Sequence, residues 1–306
     1  MDKRIRIGTR ESQLAVWQAT LVKDLLLQNG VDAELVLIKS EGDIDLKTAL
    51  YEMGVQGIFT KTLDIALLNN NIDIAVHSMK DVPIIPATGI MQAAVLKRAS
   101  YKDIFVYKDD ISFLNNYASQ AVVATSSIRR KAQWLNRYPN HSIENLRGNV
   151  NTRLQKIKDN NWQGAIFSAA GVERIGLRPD NSIDLDWMLP APAQGAIMIV
   201  CRDGDEDCLK ACNNLDDADT AICTKVERDF LRTLLGGCST PISALAEIKN
   251  ETLYFSGNIL STDGKEKVEI EKTCPVSEIK DFGITAAQEL LNNGGQKIAD
   301  CIQHAG

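Results

Sequence analysis

The chain has 306 residues, 44% of them hydrophobic and 24% charged, with a net charge of −6. That length allows two or three domains, and that composition excludes a disordered chain. No window approaches 18 uninterrupted apolar residues, which excludes a membrane-spanning helix. The opening MDKRIRIGTRES has no apolar h-region, so an exported protein is not expected.

In chain order, residues 4–8 read as a strand. Thr9 or Ser12 then caps a helix with Leu14, Trp17, Leu21 and Leu25 on one face, stopped by Asn29-Gly30. A strand follows at 34–39, then a stretch bearing Gly42, Gly54 and Gly57, a helix from near Thr60, and a strand at 72–77. Pro83 and Pro86 break the pattern. The theme repeats with a strand at 121–124, a capping turn Thr125-Ser126-Ser127, a helix from Ile128 and a strand at 164–167. Pro190 and Pro192 make a rigid connector. The apolar strand at 196–201 is placed to cross back and complete the first sheet.

From about Asp217 the character changes. A helix carrying Val226, Phe230, Leu231 and Leu234 ends at Gly236-Gly237, strands follow at 242–248, 253–260 and 267–273, and helices cover 278–292 and 296–302. The expected fold is α/β: two lobes around a cleft, plus a small α+β domain with an antiparallel three-stranded sheet. The boundaries read as 1–97 with 196–216, then 98–195, then 217–306. Ligands of such lobes bind at helix N-termini and strand ends.

Charge is unevenly spread. Between Ser126 and Lys156 stand Arg129, Arg130, Lys131, Arg137, Arg147, Arg153 and Lys156 against one acid, Glu144. A basic segment inside an acidic chain points to an anion site. The seven cysteines are odd in number and all lie from Cys201 onward, unlike a disulfide framework. Cys208 and Cys212 are four apart, but no CxxC pair exists, so no metal site is expected.

Five segments look chemical: RIGTRES with Arg10 and Ser12, DIAVHSMKDVP with Lys80 and Asp81, ATSSIRR, LRGNVNTRL, and LGGCSTP with Cys238. Guanidinium groups grip carboxylates through paired hydrogen bonds, so the arginines suit a ligand with several carboxylates. A cysteine between a glycine pair and a proline turn is exposed by its backbone. There is no phosphate loop, dinucleotide fingerprint or GxSxG elbow.

Together with PAPAQGA, these motifs occur in the order and spacing of the porphobilinogen deaminase (hydroxymethylbilane synthase) family, which the chain resembles from about Arg4 to Ala299. The resemblance implies two lobes folded like periplasmic binding proteins. It also implies a third domain whose cysteine, here Cys238, carries a dipyrromethane cofactor in a thioether bond. Four porphobilinogens are then joined one by one with loss of ammonia, and hydroxymethylbilane is released.

It further implies Asp81 as the catalytic aspartate, stabilising the cation left when ammonia departs. Cofactor contacts would come from Lys80, Asp81, Thr125, Ser127, Arg129, Arg130, Arg147 and Gly148. Substrate contacts would come from Arg10, Ser12, Arg147, Arg153, Arg174 and Gln194, the last at the crossover between lobes. Porphobilinogen is then the partner, with no nucleic acid or membrane, in a cytoplasmic monomer. In the loop at 44–59, Glu52 and Gln56 stand where family members often carry lysines; Lys47 and Lys61 are nearby. A two-lobed binding protein without chemistry is the rival reading, and it gives the Gly-Gly-Cys turn no purpose. A nucleic-acid binder would require affinity that falls steeply with salt, and the acidic total argues against it.

Overall fold

The computed structural model describes residues 4–39, 60–234 and 240–304. The expected loop at 44–59 and the Gly236-Gly237-Cys238 turn lie outside the described residues. The chain divides into two compact units, the first holding residues 4–39, 60–99 and 195–222 and the second the remainder.

In the first unit, β1 (Ile5–Arg10), β2 (Ala33–Ile38), β3 (Ile74–Ser78), β4 (Ile90–Val95) and β10 (Ile197–Arg202) form one sheet in the order β2-β1-β3-β10-β4. β1 is parallel to β2 and β3, while β10 runs antiparallel to both β3 and β4. The strand expected at 196–201 therefore does complete the first sheet. Its run IMIVC is buried throughout, as a central strand covered on both faces requires.

Helix α1 (Gln13–Gln28) begins where expected. Ser12 is extended, and its Oγ accepts the Ala15 N–H at 3.4 Å. It ends on Gly30 at φ +75°, with Gly30 N–H to Leu27 O and Val31 N–H to Leu26 O, both 2.9 Å. The buried face matches the expected one in part: Leu21 and Leu25 pack against the core, but its fully buried residues are others. Ala19, Val22 and Leu26 pack against Ile5, Ile7 and Ile74, while Trp17 is 36% exposed. Helix α2 (Lys61–Leu68) and the segment leading into β3 lie so close to β1 that a Cβ on Gly8 would come within 3.2 Å of Leu63 Cδ2 and 2.2 Å of Ile72 Cδ1.

The second unit contains β5 (Asp103–Tyr107), β6 (Val122–Ala124), β7 (Ser142–Glu144), β8 (Gly164–Ser168) and β9 (Ser182–Asp184), ordered β7-β6-β8-β5-β9. The plan matches the first sheet: parallel strands, with one strand, here β5, running against its neighbours. Helices α3 (Ile128–Arg137), α4 (Val150–Asp159) and α5 (Ala169–Glu173) connect them. Phe105, Trp134 and Tyr138 fill one face, the Trp134 ring centroid lying 5.0 Å from Phe105 and 5.1 Å from Tyr138.

The antiparallel sheet β11-β12-β13 (Ile242–Lys249, Thr252–Leu260, Lys267–Pro275) appears as expected, with α8 (Phe282–Leu290) and α9 (Gln296–His304) after it. Of residues 278–281, expected to be helical, Glu278 ends a 3₁₀ turn (Val276–Glu278) and Asp281 is left-handed, so α8 starts only at Phe282. Two further helices, α6 (Glu206–Cys212) and α7 (Ala218–Thr233), follow β10 in sequence.

Candidate active site

Several of the described residues singled out in the sequence stand, within each unit, at or after the carboxyl ends of the parallel strands, where open α/β sheets bind ligands. In the first unit β1 ends in Arg10, two residues before the Ser12 cap. β3 ends at Ser78 and passes into a 3₁₀ turn, Met79–Asp81, that presents Lys80 and Asp81 half-buried. The turn is held on two sides: Gln18 Nε2 donates to Ser78 Oγ at 2.9 Å, and Met79 N–H donates to Ala196 O at 3.0 Å. Beside it, His77 is buried, with its Nε2 unpartnered among the described residues. Burial, helped by the Arg10 charge, pushes its pKa down to about 4.

In the second unit β6 ends at Ala124. Thr125 Oγ1 accepts the Ser127 N–H at 3.2 Å, and Ser127 Oγ accepts the Arg130 N–H at 3.4 Å, capping α3. Ser126 reaches across instead: its Oγ donates to Leu146 O and accepts the Leu146 N–H at 3.1 Å. That fixes the next segment, where Arg147 is buried and Gly148 takes φ +114°. A side chain at Gly148 would meet Thr152 Cγ2 at 2.8 Å. Asn149 caps α4 by accepting the Thr152 N–H at 2.9 Å, and Arg153 Nε donates to Gly148 O at 2.7 Å. Arg174 follows α5, where burial lowers its pKa to about 10.

Arg129 and Arg130 differ from the other arginines. Both are buried, and both grip the fully buried carboxylate of Asp103, with Arg129 Nη2 and Arg130 Nη2 each at 2.7 Å. Gln194 joins them, donating from Nε2 to Asp103 Oδ1 at 2.9 Å and to Tyr101 O at 2.7 Å. Sequence reasoning missed Asp103. Its only local signal is an acid opening the apolar run Ile104-Phe105-Val106. It also missed Glu227, which is fully buried and accepts the N–H groups of Ala193 at 2.6 Å and Ala246 at 2.8 Å.

No group of three or more His, Cys, Asp or Glu is placed to hold a metal among the described residues. Cys208 and Cys212 are buried, and desolvation raises both thiols, Cys212 to about 12, which makes them poor nucleophiles. A ligand bearing several carboxylates does fit the second unit. Arg147 and Arg153 flank the Asn149 cap of α4 in the chain, and Arg174 follows α5, where burial lowers its pKa.

Family models place these motifs. Residues 5–210 match "Porphobilinogen deaminase, dipyromethane cofactor binding domain", and residues 221–292 match "Porphobilinogen deaminase, C-terminal domain". The chain is 39% identical over 298 residues to the porphobilinogen deaminase of Syntrophotalea carbinolica, covering 96% of this chain and 94% of the relative. It is 43% identical over 279 residues to the probable porphobilinogen deaminase of Methanocaldococcus jannaschii, covering 90% and 94%. Among solved structures it is similar to the methionine-binding protein MetQ at 15% identity and a TM-score of 0.42, over 68% of this chain and 87% of that one. The chain belongs to the porphobilinogen deaminase family.

Proposed function

We propose that this chain condenses four porphobilinogen molecules head to tail into hydroxymethylbilane, on a dipyrromethane primer joined to Cys238 by a thioether. The observation that carries the reading is the match of residues 5–210 to the family's cofactor-binding domain, with Arg10, Lys80, Asp81, Thr125 and Ser127 at or just beyond strand ends. When bound, the dipyrromethane supplies the pyrrole α-carbon to which the first substrate is joined.

Each addition forms one carbon–carbon bond. The substrate's aminomethyl carbon loses ammonia, and the acceptor ring carbon loses a proton. In the first unit Asp81 stabilises the cation that ammonia leaves behind, the point where a fixed carboxylate lowers the barrier most. Lys80 and Ser12 orient acidic side chains there, with Arg10. In the second unit Arg147, Arg153 and Arg174 hold acetate and propionate groups, and Thr125, Ser127 and Gly148 complete the cradle. The three sheets, each with its own strands, support a division into 1–97 with 196–216, 98–195 and 217–306. We place the protein in the cytoplasm as a monomer that binds no nucleic acid. No helix among the described residues is long and apolar enough to cross a membrane.

The test is stoichiometric. Purified protein given porphobilinogen should release four ammonias per hydroxymethylbilane formed. Consumption of porphobilinogen without a tetrapyrrole, or no consumption at all, overturns the reading.

A further inference from the structure

Each unit holds a buried carboxylate between two arginines, but at different ends of its own sheet. In the first, Asp73 immediately precedes β3, at the amino end of the parallel strands. It accepts Arg6 Nε at 2.9 Å, Arg6 Nη2 at 2.8 Å and Arg202 Nη2 at 3.4 Å. In the second, Asp103 opens the antiparallel strand β5 opposite Ser168, at the carboxyl end of β8. Asp103 Oδ2 takes Arg129 Nη2, while Oδ1 takes Arg130 Nη2 at 2.7 Å, Arg130 Nε at 3.1 Å and Gln194 Nε2 at 2.9 Å.

The arginines are anchored on their far sides too, by Arg129 Nη1 to Leu189 O at 2.6 Å and Arg130 Nη1 to Ile166 O at 3.1 Å. Among the described contacts, two guanidinium groups face one carboxylate, an excess of one positive charge. One donor, the buried Nε–H of Arg129, has no partner among the described residues. Buried charges of this kind are a poor route to stability, because apolar side chains of similar volume do as well or better. The group follows the Ser127 cap of α3 at the ligand end of the sheet, so a role in binding accounts for it where stability does not.

We infer that Asp103 is a positioning residue for chain elongation: it fixes Arg129, Arg130 and Gln194 in place and leaves the group a single excess positive charge with which to favour a carboxylate of the growing chain. This rests on the reading that the chain elongates a polypyrrole. Asp103 itself touches no substrate. Replacing it by Asn removes the charge that balances one arginine and sets amide N–H groups against guanidinium N–H groups. Replacing it by Glu keeps the charge but displaces both guanidinium groups by a methylene.

The experiment gives purified full-length protein limiting porphobilinogen and measures, by intact mass, the share of protein carrying one, two, three or four added units, alongside the melting temperature. Asp73→Asn is the control, since it breaks a comparable buried pair away from the ligand end. Both Asn variants should melt lower than wild type. Only Asp103→Asn should redistribute the covalent species, with the share arrested at a partial length rising about tenfold, the scale of a small misplacement of binding groups. Should Asp103→Asn not accumulate as folded protein, Asp103→Glu carries the same expectation. A folded Asp103 variant with the wild-type distribution, or an Asp73→Asn protein redistributed as strongly, overturns the inference. Absence of any added units on the wild type would instead overturn the proposed function.

Discussion

Glu227 Oε2 accepts the backbone N–H of Ala193 at 2.6 Å, while its Oε1 accepts that of Ala246 at 2.8 Å, both within the second unit. One carboxylate on α7 thus ties the Pro190–Gln194 segment, where Ala193 takes φ +61°, to strand β11. Glu227→Ala leaves two buried donors unsatisfied, at about 1–3 kcal/mol each. Thermal unfolding should show a fall of several degrees for Glu227→Ala. Glu227→Gln, which keeps one oxygen acceptor, should fall less. Equal melting of all three proteins would mean that water replaces the carboxylate.

Acid should destabilise the first unit through His77. Its pKa falls from an ordinary 6.5 to about 4 in the folded chain. The unfolded chain therefore takes up a proton between these values that the folded one refuses. Stability is full above pH 6.5 and is lost as pH falls towards 4, by roughly 3 kcal/mol at 1.4 kcal/mol per unit. His141 adds in the same direction. Burial lowers its pKa, and its Nδ1 accepts the Trp134 Nε1–H at 3.1 Å, which requires the neutral ring. Unfolding free energy measured from pH 7 to 4 should be flatter for His77→Gln than for wild type.

The arginines should separate into two groups under Lys replacement. Arg129→Lys and Arg130→Lys keep the charge but lose buried bonds to Asp103 and to backbone carbonyls, at about 1.5–3 kcal/mol for each charged hydrogen bond. Their melting temperatures should drop markedly. Arg10→Lys and Arg153→Lys, at half-buried positions, should melt closer to wild type and show their defect as arrested elongation by intact mass. Identical melting shifts for all four would erase the distinction.

Asp81 tests the chemistry. Two unit charges at about 4 Å attract by ~4 kcal/mol at an effective dielectric of ~20. If most of that is realised only once ammonia leaves, Asp81→Asn should lose about two to four powers of ten in turnover. Asp81→Glu should lose less, and both should retain the cofactor mass. An Asn variant within a few-fold of wild type, while carrying cofactor, would remove Asp81 from the centre of the mechanism.

How much of this was legible in the sequence depends on the range of each interaction. The α1 cap was readable because Ser12 and Ala15 are three residues apart, and the C-terminal sheet because its strands run eight or nine residues. The face of α1 was legible in Leu21 and Leu25, which pack against the core, but its fully buried centre is the smaller Gln18, Ala19 and Val22 with Leu26, not Leu14 and Trp17. β7 and β9, at three residues each, are too short for a period to show. β5 was hidden by its charged opening, Lys102-Asp103. Equal weight for all the arginines was the natural reading of a basic segment. What sorts them is an acid 26 residues from Arg129, brought to the same strand end only by folding.

The central claim is that this chain builds a tetrapyrrole on a primer held by its own cysteine, and intact mass tests it most directly. Full-length protein purified from cells that make porphobilinogen should be heavier than its sequence by two porphobilinogens minus two ammonias. The addition should vanish in Cys238→Ser and persist in Cys208→Ser and Cys212→Ser. A wild-type mass equal to that of the bare sequence, or an adduct that survives Cys238→Ser, would contradict the account.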